Sequence, residues 1–228
     1  MKTTENGTTS LLNPQRELVT ITAGEARLEG ELEIPPGAQG VVLFAHGSGS
    51  SRYSPRNRYV AQIIRDVGLG TLLFDLLTYE EEQEDEQTGA LSFDIELLAE
   101  RLCGASLWLE NREDTRDLKQ GYFGASTGGG AALMAAAEAG DRVAAVVSRG
   151  GRPDLAGDSL LNVKCPTLLI VGGLDEMVIQ LNGEALAKLH CVKELKIIPG
   201  ATHLFEESGK LEQVAQISAA WFAKYLTF

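Results

Sequence analysis

Residues 121–130 read "GYFGASTGGG", with Ser126 between glycines two positions away on each side. A short apolar run leads in, and "AALMAAAEA" (131–139), rich in strong helix formers, leads out. Strand, sharp turn and helix N-terminus are expected in succession. Small residues at 124, 125, 128 and 129 let the backbones around the turn approach closely. A serine at such a bend has its hydroxyl pushed outward at the carboxyl end of the sheet, where open α/β sheets keep their sites. The helix N-terminus behind it offers N–H groups and partial positive charge to an anion. The G-x-S-x-G pattern alone is a weak signal; its weight comes from the strand–turn–helix context.

Outward from this corner the chain alternates strand and helix. "VVLFAHG" (41–47), "TLLFDLL" (71–77), "QGYFG" (120–124), "VAAVVSRG" (143–150), "TLLIVGG" (167–173) and "ELKIIPG" (194–200) are short, nearly continuous apolar runs. Such runs suit strands buried on both faces of a parallel sheet. "NRYVAQIIRDVG" (57–68), residues 92–111, "AALMAAAEAG" (131–140), "NGEALAKLH" (182–190) and residues 210–226 read as helices between and after them. "LVTITAG" (18–24) and "ARLEGELEIP" (26–35) alternate apolar and polar residues, as an antiparallel hairpin does. The expected fold class is α/β: one domain over residues 1–228, with a mostly parallel central sheet, an N-terminal antiparallel hairpin and helices on both faces. Residues 1–16 read as a flexible N-terminal segment. The acidic run Glu80–Glu86, six carboxylates in seven residues, reads as a solvated loop or helix start, because its charges repel one another.

Composition narrows the function. A net charge of −12 argues against nucleic acid, whose phosphates attract a basic face, and against an anionic membrane surface. The N-terminus lacks the apolar core of a signal peptide, and no apolar run approaches the ~18 residues of a membrane span. Cys103, Cys165 and Cys191 are scattered without metal spacing, which reads as reduced, buried thiols in a cytoplasmic protein. Monomer and homodimer both remain open.

A serine hydroxyl needs a base to take its proton. Of the three histidines, His203 in "KIIPGATHLFEE" (196–207) follows the last apolar strand, which places it at the same sheet edge as Ser126. His190 ends a helical segment, and His46 follows an earlier strand and suits bracing a turn. Asp175 in "TLLIVGGLDEMV" leaves its strand by a short glycine turn, again at the carboxyl edge. It can hold the imidazole tautomer and stabilise the imidazolium. Each residue has a plainer reading: a turn serine, a helix-capping aspartate, a solvated histidine. Their order, Ser126, Asp175, His203, is nonetheless that of an α/β-hydrolase triad. Donors to a developing oxyanion are expected from the Thr127 N–H and, in the glycine-rich turn "HGSG" (46–49), from the Ser48 N–H, with Gly47 and Gly49 one step away.

These motifs, from "VVLFAHGSGSSRYSPRNR" through "GYFGASTGGG" and "LLIVGGLDE" to "IIPGATHLF", make the chain resemble the dienelactone hydrolase-like family of α/β-hydrolases over most of its length. The resemblance implies a hydrolase of esters or lactones that needs no metal and no organic cofactor. Dienelactone hydrolases proper use a cysteine nucleophile; Ser126 stands there in this chain, a departure that favours general ester hydrolysis. The expected partner is a small-molecule ester or lactone, and a peptidase, an acyltransferase or a non-catalytic binding module are the alternatives.

Residues 151–166 leave no room for a substantial helical lid, so the site is expected to be open and shallow. Arginines cluster in "SSRYSPRNRY" (Arg52, Arg56, Arg58) and "VSRGGRPD" (Arg149, Arg152). A guanidinium fork matches a carboxylate bidentately, which makes Arg52 and Arg149 candidates for binding an acidic substrate. Internal ion pairing with some of the 32 acidic residues is the competing reading.

Overall fold

The computed structural model describes residues 16–227. The N-terminal segment expected over residues 1–16 lies outside them except for Arg16, which opens the first strand. Eight strands form one sheet: β1 (Arg16–Ala23), β2 (Ala26–Glu33), β3 (Gly40–Ala45), β4 (Gly70–Phe74), β5 (Lys119–Ala125), β6 (Val143–Arg149), β7 (Thr167–Gly172) and β8 (Lys193–Ile198). Their order is β1-β2-β4-β3-β5-β6-β7-β8. The β1–β2 hairpin is antiparallel and joins the sheet by antiparallel pairing of β2 with β4; every other pairing is parallel.

Side-chain alternation along the parallel strands feeds two separate cores. Leu43, Leu72, Tyr122, Val146 and Leu169 point to the face covered by α3 (Ile95–Glu110), α4 (Thr127–Ala139) and α5 (Glu176–Lys188). Phe44, Leu73, Phe123, Val147 and Ile170 point to the opposite face, where α1 (Pro55–Asp66) and α6 (Lys210–Leu226) lie side by side. Each fully buried side chain of this size contributes about 1.5–3 kcal/mol. Burial on both faces is why β3, β4 and β7 read as unbroken apolar runs.

One expectation changes, and another settles on one of its two alternatives. "ELKIIPG" does form a strand, yet most of β8 is open to solvent, because it pairs only with β7 at the sheet's edge. The acidic run becomes the helix α2 (Tyr79–Thr88). A capping box supplies the missing stability: Thr78 Oγ1 accepts the Glu81 N–H while the Glu81 carboxylate accepts the Thr78 N–H. Glu80, Glu81 and Glu82 then sit in the first turn, where the helix dipole favours negative charge. The helix buries none of its residues. Residues 153–162 form 3-10 turns packed on α4 and α5 rather than a lid.

Candidate active site

Ser126 sits between β5 and α4 with φ 53° and ψ −122°, a conformation that costs a non-glycine residue about 1–3 kcal/mol. Packing enforces it. A Cβ at Gly124 would lie 2.3 Å from the Gly128 carbonyl oxygen, and one at Gly128 would lie 2.2 Å from that of Ala45. Only glycine allows α4 to start this close to β5 and β3. The bend is stitched to the exit of β6: the Ser126 N–H donates to the Arg149 carbonyl (3.3 Å), and the Arg152 N–H donates to the Ser126 carbonyl (3.0 Å).

Three strand ends converge on the serine. Asp175 occupies the N-cap position of α5, but its side chain forms no cap bond. Its Oδ2 lies instead 2.6 Å from His203 Nδ1. With the ring proton donated there, Nε2 presents its lone pair to Ser126 Oγ at 3.4 Å, a separation within what free enzymes show before substrate tightens the contact. The plainer readings of Asp175 and His203 therefore do not describe them: each has the other as partner. The His203 loop is held from two sides. The Glu207 carboxylate accepts the Thr202 N–H at 3.1 and 3.2 Å, and hydrogen bonding, first from the Thr202 side chain, lowers the Glu207 pKa. Beneath the imidazole, a Cβ at Gly150 would fall 3.5 Å from its Cε1 and Nδ1.

On the other side of Ser126, the Ser48 N–H donates to Thr127 Oγ1 at 3.0 Å. This bond brings the two expected donor loops together, and in this structure it occupies the Ser48 amide. The turn is braced by His46, whose Nδ1 lies 3.0 Å from the Gly47 carbonyl and whose Nε2 accepts the Leu76 N–H at 3.1 Å. Burial lowers the His46 pKa, opposed by the Gly47 carbonyl and the Asp75 charge; the bond accepted from Leu76 requires the neutral ring, whereas the Nδ1–H can donate to Gly47 in either state. Against this turn lies a cavity of about 520 Å³, walled on its far side by Glu82, Asp85 and Glu86 of α2 and by Phe93. Burial and the nearby Asp75 raise the Glu82 pKa.

The arginines separate. Arg52 is committed: its guanidinium pairs with Asp75 and Glu29 and also bonds the Tyr53 hydroxyl. Arg58 pairs with Glu31, Arg152 with Asp154 and Arg56 with Glu206. Arg149 is 6% exposed and faces the Phe205 ring, and among the described residues no carboxylate pairs with it. Burial, and secondarily the Arg56 charge, push its pKa down to about 10. Cys103, Cys165 and Cys191 are free thiols; burial pushes Cys103 up to about 11 and Cys165 up to about 12, which keeps both in the unreactive thiol form. Among the described residues no cluster of His, Cys, Asp and Glu could hold a metal ion, and no helix is long and apolar enough to cross a membrane.

The sequence profile of the dienelactone hydrolase family matches residues 28–228. The chain belongs to the dienelactone hydrolase family. That family and the observed sheet give it the α/β-hydrolase fold. A dienelactone hydrolase from Anabaena variabilis ATCC 29413 is 62% identical, with a TM-score of 0.93 over 94% of this chain and 99% of that one. Est1E from Butyrivibrio proteoclasticus shares the fold at 15% identity, with a TM-score of 0.75 over 91% of this chain and 98% of its own. A Mycobacterium tuberculosis H37Rv protein with the provisional name phosphoribosyl transferase is 56% identical over 210 residues, 92% of this chain but 46% of its own length. The chain thus spans about half of the curated relatives it matches.

Proposed function

We propose that this family member is a serine hydrolase that cleaves carboxylic esters or lactones through an acyl-enzyme. The observation that carries the reading is the Asp175 carboxylate, which leaves its helix uncapped to hold His203 Nδ1 at 2.6 Å. His203 Nε2 takes the Ser126 proton as Oγ attacks the substrate carbonyl carbon, and Asp175 stabilises the imidazolium that forms. The oxyanion is received by the Thr127 N–H and by an amide of residues 47–49. Ser48 serves if the substrate oxygen displaces Thr127 Oγ1 from it. Such donors are worth about 3–4 kcal/mol each. The imidazolium returns its proton to the departing alkoxide; in a lactone this alcohol stays attached to the acyl group. Water, deprotonated by His203, then attacks the acyl-enzyme and releases the acid and Ser126.

Peptide cleavage and acyl transfer use the same tetrahedral intermediate and remain the alternatives within enzymes. An idle binding module is the alternative outside them, and it gives no reason for Asp175 to abandon its cap. A panel of p-nitrophenyl esters, thioesters and lactones, assayed with wild type and Ser126→Ala, tests the reading. Ester or lactone turnover should fall by at least about 10³-fold in Ser126→Ala, and a fluorophosphonate should label wild type alone. Equal turnover in both proteins would refute it.

A further inference from the structure

We propose that the side-chain hydroxyl of Thr127 is a donor to the oxyanion at the Ser126 site, added to the backbone amides expected there. The proposal rests on the hydrolase reading above and names a further catalytic residue within it.

Thr127 is the first residue of α4 and follows Ser126 directly. Its N–H has no partner inside the helix, as holds for any first-turn residue. The side chain is buried, the residue being 2% exposed, and Oγ1 accepts the Ser48 N–H at 3.0 Å. Accepting that bond leaves the hydroxyl its own proton to place. Thr115, Thr167 and Ser218, equally buried, donate theirs to the Leu109, Cys165 and Val214 carbonyls at 2.7, 3.1 and 2.7 Å. Thr127 has no such acceptor among the described residues. A threonine inside a helix can use the carbonyl four residues back. For Thr127 that residue is Phe123, which lies in β5 and not in the helix. The Ser148 hydroxyl is also unspent, but Gly129 and Gly151 close around it.

Location decides what the spare proton meets. A Cβ at Gly47 would lie 3.0 Å from Ser126 Cβ and 3.7 Å from Ser126 Oγ, so the 47–49 turn runs directly beside the nucleophile. Gly47, Ser48 and Gly49 line the cavity of about 520 Å³, and Ser48 is bonded to Thr127. Thr127 Oγ1 therefore joins the turn to the helix N-terminus, one residue from the attacking oxygen. Attack by Ser126 converts the substrate carbonyl oxygen into an anion between these two elements. N–H and O–H groups on one residue can grip a single oxygen. The Ser48 amide keeps its bond to Oγ1 and takes part through it, because a hydroxyl that accepts a hydrogen bond donates a stronger one. The hydrogen stays on Thr127 throughout; its bond strengthens as charge develops on the substrate oxygen. This route needs no displacement of Oγ1 from Ser48. Branching at Cβ restricts the side chain to few rotamers, so the donor is in place before substrate arrives.

Two measurements test this. The first compares kcat and KM for p-nitrophenyl butyrate in wild type, Thr127→Ser, Thr127→Val and Thr127→Ala. Without the hydroxyl, in Thr127→Val and Thr127→Ala, kcat should fall about 10²-fold while KM stays within about threefold. Thr127→Ser, which keeps the donor, should retain kcat within about fivefold. An unchanged or raised kcat in Thr127→Ala overturns the proposal, because the hydroxyl would then only plug the Ser48 amide. A loss in Thr127→Ser as large as in Thr127→Val overturns it too, since shape and not the donor would matter.

The second measurement reads the oxyanion itself. Ser126 Oγ adds to the carbonyl carbon of trifluoromethyl propyl ketone, its proton passing to His203, and the former carbonyl oxygen of the hemiketal takes the oxyanion position. Fluorine NMR against pH gives the acid strength of that hemiketal, which rises with every donor facing its charged form. In Thr127→Val and Thr127→Ala it should be about 10- to 100-fold weaker as an acid. A merely structural role would reduce the amount of hemiketal and leave its acid strength alone, and that result overturns the proposal. Thr127→Val, which keeps the side chain's shape, decides on both readings if Thr127→Ala does not fold. Should Ser126→Ala abolish turnover while the Thr127 variants leave it unmoved, this inference falls alone. Should Ser126→Ala keep its turnover, the hydrolase reading falls with it.

Discussion

On one side of Ser126, the backbones of β3, β5 and α4 meet with no side chains between them, and the exit of β6 is bonded directly to the bend. On the other side, α2 stands over the cleft with none of its residues buried. It is fixed by its capping box, by the Glu81–Arg101 ion pair and by Asp85, whose carboxylate accepts the Leu91 and Ser92 N–H groups. Contact distances set by backbone atoms cannot be relaxed by changing a rotamer, whereas a wall held by exposed polar bonds gives way singly and cheaply. Under the proposed function the two flanks would have different duties: the first would keep the reacting atoms in place, and the second would meet the substrate.

The strongest test of that contrast is Gly128→Ala. The added methyl would lie 2.2 Å from the Ala45 oxygen and 2.5 Å from that of His46, both backbone atoms. Overpacking of this kind should cost about 3 kcal/mol; urea unfolding would measure it, and a loss below about 1 kcal/mol would show that the corner yields after all. A smaller loss is expected from Thr78→Ala, which removes one half of the α2 capping box and should cost about 1 kcal/mol. The rate of fluorophosphonate labelling should not follow it. A labelling rate that collapses with α2 would merge the two flanks into one unit.

The smallest effect concerns His46, which joins the flanks by bonding Gly47 on one side and Leu76 on the other. Its folded pKa lies below the ordinary 6.5, so between those two values the unfolded chain binds the proton and the folded chain does not. Stability from this group is complete above about pH 6.5 and is lost as pH falls toward the folded value. Melting temperatures between about pH 7 and 5.5 should fall more steeply for wild type than for His46→Gln. Parallel slopes would remove His46 as a titrating link.

What could be read from sequence follows the same division. The corner at Ser126 was legible because its cause is local: glycines two residues either side of the serine and a strong helix former behind it. Asp175 and His203 were legible as strand exits, since the register of a parallel sheet carries both to one edge. The acidic run read as a solvated loop or helix start, and the Thr78-x-x-Glu81 signature that decides for the helix stood in the sequence. Arg52 and Arg149 could not be told apart. Neutralisation of Arg52 needs Asp75 from the β4 exit and Glu29 from β2, and that meeting depends on strand order. The exposure of β8 was partly legible, since Lys193, Glu194 and Lys196 give it the charge of an edge strand, while its place at the end of the sheet depends on strand order.

The glycine contacts at positions 124 and 128 have a bearing on engineering. A mutant library intended to alter the substrate preference of this site would waste most of its members there, since nearly every replacement fails to fit. Diversity placed at the cavity-lining positions of α2, Glu82 and Glu86, would leave Ser126, Asp175 and His203 untouched, so each surviving clone would report on selectivity rather than on folding.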